Sequence, residues 1–430
     1  MASQKHNFMK TMQYSSMERR IAKVLDPFPC LRAGLKRVYQ KMNFYFSFDK
    51  TPLWLNAQVV LQNIPEDEEH FFGYFDKSCW SADGKNMLYH RLASSQTVEI
   101  VAYDLEGKKK KVVGRTSTWN WQQGAMAQWF KRDKELVIYN TVENQNLISV
   151  IVDPKDGTLV QKLPMPVQAV SPKGNCIISL NYRRLASLRP DYGYTQEVKN
   201  FAGKMPNEKD GLWNLNLATG ETRLIVKISD LQAYEPTETM INGAQKVNHV
   251  LFSPDGNRIV FMHRWISPYG KFSRLFTVNP DGSDLYLLSD DRMVSHYAWR
   301  DNKNILVWCR KREMGDHYYL LKDQSTDYQL VGEGLLDING DGHPSFSPNR
   351  RWIVTDTYPG RDRKQSLFLF DSEDEKFYLI GKFISPWKFN GSKRCDLHPR
   401  WSPSGKWIAV DSVYTGQRGL YLLDVSNIVN

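Results

Sequence analysis

Phe252-Ser253-Pro254-Asp255-Gly256, running into Arg258-Ile259-Val260-Phe261-Met262, is the stretch on which the fold turns. The aromatic closes a strand, Pro presets φ near about −65°, Asp-Gly completes a tight turn, and the β-branched run that follows has the content of a buried strand. The phrase recurs in decayed forms at Trp80, Trp129, Val170, Trp299, Phe346 and Trp401. Working outward from each copy, a third strand follows in most units, such as Arg274–Val278, Ser366–Phe370 and Leu420–Asp424. A turn such as Asn279-Pro280-Asp281-Gly282 then leads to a fourth. Each unit reads as a four-stranded antiparallel blade, and seven copies predict an all-β, seven-bladed β-propeller over residues 51–430 with a short N-terminal extension, residues 1–50.

Two features depart from the repeat. The interval from Val170 to Phe252 is far longer than the others and carries Asn181–Leu185, Arg189–Tyr194 and Pro206–Gly211, an insertion placed to form a rim over the channel. The last blade is short of an outer strand, which Leu53–Val60 is expected to supply, closing the ring. The basic extension holds a short helix, read over Leu31–Gln40, with a peripheral membrane or protein partner as its open alternatives.

Composition narrows the function classes. The formal charge of +10 favours polyanions, but no zinc-finger cysteine pair, RNP-like segment or helix-turn-helix pattern accompanies it, so nucleic acid is not favoured. No stretch reaches the length of a transmembrane segment. Five scattered cysteines and a basic start without an apolar core fit a reducing compartment, and a cytoplasmic location is expected.

Histidines align on the repeat. His249, His296, His343 and His398 each stand three residues before the anchor of their blade, where the first three blades carry Lys77, Met126 and Val167. Equivalent positions of a propeller occupy equivalent places around its axis, so four imidazoles are expected along one arc of the channel mouth. Three could converge on a divalent metal, with Asn248, Asp341 or Asp396 as neighbouring ligands; strand capping and metal-free acid–base or anion binding are the alternatives. Arg264, Arg394, Arg400, Arg418, Tyr358 and Tyr414 gather in the same register, a set that fits an acidic saccharide.

The elements Gly342-His343-Pro344-Ser345-Phe346-Ser347-Pro348 and His398-Pro399-Arg400-Trp401-Ser402-Pro403 resemble those of TolB-type and WD40-like propellers, and in particular the oligogalacturonate lyase group of polysaccharide lyases. The resemblance covers roughly residues 70–430. It implies a divalent metal, manganese by family habit, held by His296, His343 and His398. It also implies cleavage of a uronate-containing oligosaccharide or polysaccharide by β-elimination. His249 is then a fourth ligand or the general base, Arg264 and Arg400 recognise the carboxylate, and Tyr358 is a candidate acid. A non-catalytic propeller binding an acidic glycan or a protein stays open beside it, as does a glycoside hydrolase using Asp356 and Asp411.

Overall fold

A computed structural model describes residues 29–46, 50–195 and 206–430. Seven antiparallel sheets follow one another along the chain, five of them ordered inner to outer as the strands occur in sequence and the last two completed by an outer strand from the beginning of the chain. Blade one comprises His70–Phe71, Asn86–Leu92, Val98–Asp104 and Lys109–Thr116; blade four comprises Ala244–Phe252, Ile259–Ser267, Gly270–Val278 and Tyr286–Ser289. The fold is the expected all-β, seven-bladed propeller.

The repeated phrase builds each inner turn in the same way. In blade four the Ser253 hydroxyl donates to Asp255 and accepts from the Arg258 amide at 2.9 Å, while Gly256 turns the chain at φ +68°. Ser81, Ser347 and Ser402 repeat the acceptor role toward Asn86, Trp352 and Trp407. Blade six has Arg350 at the glycine position with φ +64°, a conformation a side chain rarely adopts. Anchor indoles tie neighbours: Trp129 Nε1 donates to the Cys79 carbonyl and Trp401 Nε1 to that of Ser345. Between blades lie apolar layers, such as Val260, Leu275, Val294, Tyr297 and Ile305 between blades four and five.

Ring closure differs from expectation in one respect. Val60–Asn63 is the outer strand of blade seven, paired with Gly419–Asp424, but Leu53–Leu55 adds a fifth strand to blade six, against Lys376–Ile384. The stretch read as one strand is two, because Asn56 interrupts it: its side chain accepts from the Gln58 amide and its amide reaches back to Leu379 and Ile380. The N-terminal helix spans Pro29–Phe46, longer than the read segment, since proline is tolerated in a first helical turn. Residues 1–28 of the extension lie outside the described residues. The insertion in blade three supplies the Tyr182–Leu188 helix and the Pro190–Tyr192 turn. Among the described residues no helix is long and apolar enough to cross a membrane.

Candidate functional site

One position on the second strand of several blades reaches forward and fixes the entry of the next. Asp411 of blade seven accepts from the amides of Phe72 and Gly73 at 2.9 and 3.0 Å. His90 of blade one accepts from the Ala125 amide, and Asn140 of blade two exchanges two bonds with the Val167 backbone. Asp356 of blade six holds the His398 amide. These side chains decide where each blade begins at the channel, and with it where the residues three before each anchor stand.

The four histidines do meet. The His296 and His343 rings are 4.2 Å apart between centroids, and those of His343 and His398 are 4.4 Å apart. His249 stands across the ring of Tyr74, which stacks on it at 4.9 Å and also touches His398 at 4.8 Å and His343 at 5.9 Å. Phe75 lies against His343 at 5.2 Å. All four histidines are buried. His249 and His398 have φ of +55° and +46°; Met126, in the same register of blade two, has +56°, so the left-handed backbone belongs to the fold and not to the histidines alone.

Hydrogen bonds assign the tautomers. His343 Nδ1 lies 2.8 Å from Asp356 Oδ1, and His398 Nδ1 lies 2.8 Å from the Gly73 carbonyl. Each Nδ1–H is therefore the donor, leaving the Nε2 lone pair of both rings without a partner. Asp396 Oδ1 is likewise buried and unpartnered, while its Oδ2 accepts from Arg394 at 2.7 Å. His343, Asp396 and His398 bring ligand atoms within 4.8 Å of one another. Two imidazoles and a carboxylate, the imidazoles oriented by a carboxylate and a carbonyl behind them, are a fitting donor set for a first-row divalent ion. His296, read from the sequence as one of the three metal ligands, sits beside this set, its Nδ1 bound to Asp341 at 2.9 Å.

Protonation follows the surroundings. Burial is the largest single influence on His343 and lowers it, but Asp356, through its charge and hydrogen bond, together with Asp396 and Asp341 holds the imidazole above its ordinary value. Burial pushes His398 well down, reinforced by the neighbouring His343. His249 is also well below its ordinary value, first through burial and then through the charge of Arg264.

The remaining candidates fall in different places. Tyr358 touches the group, 5.6 Å from His343 and 6.3 Å from His296. Arg264 acts on His249 and on the tyrosines Tyr74, Tyr192 and Tyr297 through its charge. Arg400 is turned to the scaffold: it donates to the Gly73 and Tyr74 carbonyls and to Asp411 at 2.7 Å. Asp356 and Asp411 are likewise occupied by backbone amides and by His343 and Arg400. Sequence reasoning missed Tyr74 and Phe75, which precede the blade-one register position by three and two residues, because only that position was compared between blades. Arg394 bridges the mouth, from Asp396 to Asp191 and Tyr192 of the insertion and to Gln122 of the chain entering blade two.

No protein-family model matches the chain, and no curated protein matches it. Solved structures do. An oligogalacturonate lyase from Vibrio parahaemolyticus is 15% identical with a TM-score of 0.60, covering 88% of this chain and 99% of its own. An oligogalacturonate lyase in complex with manganese is 16% identical with a TM-score of 0.60, covering 88% and 96%. TolB from Acinetobacter baumannii is 12% identical with a TM-score of 0.40, over 79% and 76%. The cytoplasmic location expected from the sequence does not stand beside the TolB likenesses and is withdrawn as a correction; no compartment is assigned. At these identities the likeness is one of fold, and the chain has the seven-bladed propeller architecture of the oligogalacturonate lyase structures.

Proposed function

We propose that the protein is a metal-assisted lyase for a uronate-containing glycan, with oligogalacturonates as the first substrates to try. The observation that carries the reading is the convergence of His343, Asp396 and His398, whose ligand atoms lie within 4.8 Å of one another, together with the buried atoms each leaves without a hydrogen-bond partner, His343 Nε2, His398 Nε2 and Asp396 Oδ1. Buried polar atoms are seldom left without a partner, and a cation would satisfy such a cluster. His343, His398 and Asp396 would hold it, with His296 alongside. A bound divalent ion, manganese by the resemblance, supplies positive charge to the carboxylate on which charge builds when the neighbouring proton leaves.

The protein's own residues supply the rest. Arg264 pairs with the carboxylate of the reacting unit. That pairing removes the charge which, after burial, most lowers His249, and so raises its basicity when substrate is present. His249, neutral and with Nδ1 unpartnered, accepts the proton from C5. The C–H electron pair becomes the C4–C5 double bond, the C4–O bond breaks, and Tyr358 donates a proton to the leaving oxygen. Arg400 acts from behind, fixing the Gly73 carbonyl that orients His398.

A second reading has its own observation. Tyr74 and Phe75 fill the centre of the arc, and the space left between them, His249 and His296 is about 10 Å³, room for about one water. A sugar ring enters only if these aromatics move, which favours a propeller that binds a glycan at its rim without cleaving it. Metal analysis of the purified protein together with ultraviolet detection of the conjugated unsaturated product decides between them. The lyase is expected to contain close to one divalent ion per chain and to lose both metal and product in His343→Ala and His398→Ala variants. Product formation that survives chelation and both substitutions would sink it.

A further inference from the structure

The blade-four side of the mouth gathers the cations Lys246, Arg264 and Arg189. Lys246 and Arg264 are direct cross-strand partners, so their side chains leave the same face of the blade. Arg189, at the end of the insertion's helix, lies 4.8 Å over the Tyr192 ring, which is itself 5.1 Å from His249. Lys246 is only 3% exposed. Among the described residues neither Lys246 nor Arg264 has a hydrogen-bond or ion-pair partner, and the charges that reach Lys246 are those of Arg264, Arg189 and Lys271, all positive.

Two other buried cations of this chain are paired with an acid: Arg258 with Asp323 at 2.8 Å and Arg400 with Asp411 at 2.7 Å. A buried ammonium surrounded by like charge is costly unless an anion completes it. We infer that Lys246 and Arg189, with Arg264 between them and the histidines, form an oxyanion subsite for a second acidic group of the glycan. The inference rests on the reading above and extends it: the substrate carries at least two acidic groups, and the chain crosses the mouth from the histidine centre over Tyr192 to blade four.

Lys246→Met keeps the stem and removes the charge. Calorimetric titration of wild type and variant, manganese-loaded and chelated, with galacturonic acid and its trimer tests the assignment. The variant is expected to lose about tenfold or more in trimer affinity and to hold the monomer within about twofold. Sulfate alone should raise the melting temperature of the wild type more than that of the variant, as an oxyanion site requires. Equal trimer affinity in the two proteins, or equal stabilisation by sulfate, overturns the subsite. Trimer binding that needs Lys246 but ignores chelation keeps the subsite and rejects the metal reading; binding that needs the metal but ignores Lys246 does the reverse. A variant that melts below the wild type and loses monomer and trimer alike marks a structural lysine and overturns the subsite too.

Discussion

The two sides of the channel mouth bury charge in opposite ways. On the side of blades five to seven four of the buried bases have an acid behind them: His296 has Asp341, His343 has Asp356, Arg394 has Asp396 and Arg400 has Asp411, while His398 is held by the Gly73 carbonyl. On the side of blade four, Lys246 and Arg264 have no ion-pair partner among the described residues, and the charges that bear on Lys246 are those of Arg264, Arg189 and Lys271. The first side has surplus lone pairs and suits a cation; the second has surplus positive charge and suits an anion. Tyr74 stands between them, touching histidines of both. A ligand that joins a metal to an acidic sugar would use both sides at once.

That contrast breaks most visibly where an acid is removed from the paired side. Asp411→Ala strands the guanidinium of Arg400 in the interior and frees the Phe72 and Gly73 amides at the joint where blade seven meets blade one. Loss of one partner from a buried ion pair costs about 3–5 kcal/mol, so denaturant unfolding should show a destabilisation of that order. A loss under about 1 kcal/mol would mean that the carboxylate is not what holds the joint.

The next effect is on metal. Asp356→Asn keeps the volume and one acceptor but weakens the bond that orients His343 and the support of the His398 amide. Removing such an outer partner commonly costs about 10–100-fold in metal affinity, which a manganese titration would read. Unchanged affinity would place the metal, if one binds, away from His343.

The opposite sign is expected across the mouth. Lys246→Met removes a charge that nothing compensates and should stabilise the ligand-free protein by about 1–2 kcal/mol at neutral pH. The pH dependence gives the same test independently. Burial, then Arg264, pushes the lysine down from 10.5 to about 7. Between those values the unfolded chain carries a proton that the folded chain has released, so wild-type stability should rise with pH through that window. The variant should lack this increment. A wild-type profile no steeper than the variant's would show that the lysine has a partner in solution.

The fold was legible because every blade repeats a locally determined turn: Ser-Pro-Asp-Gly carries its own conformation, and the anchor aromatic its own packing. The histidine arc was legible for a related reason, since a repeat converts a sequence register into a place around an axis. What the register does not encode is what fills the axis. Tyr74 and Phe75 come from the entry of blade one, just ahead of the register position, and reach the histidines only because Asp411 clamps that entry from a residue far along the chain. Asp396 could be named as a possible ligand but not ranked above His296, because the difference depends on which of their atoms Arg394 and Asp341 already occupy. Arg400 read as a ligand-binding residue from its neighbours in sequence; its burial against Asp411 is a tertiary fact. The split of Leu53–Val60 into two strands on two blades has the same character, since it depends on backbone partners near residue 380 that no local pattern announces.

The finest test concerns the residue that links the two sides. Tyr192 turns its ring to His249 and receives Arg189 on its face, while its hydroxyl lies 3.2 Å from Arg394 Nη2 on the paired side. Tyr192→Phe keeps the ring and deletes only that hydrogen bond. Arg394 retains Asp396, Asp191 and Gln122, so no charge is stranded and the cost should stay near about 1 kcal/mol, the net worth of an ordinary hydrogen bond. Metal affinity should be unchanged, because Asp396 Oδ2 still accepts from Arg394 and the ligand atoms do not move. If this variant instead loses metal as heavily as Asp356→Asn, the two sides are not separate devices, and the insertion is holding the histidine centre together through Arg394.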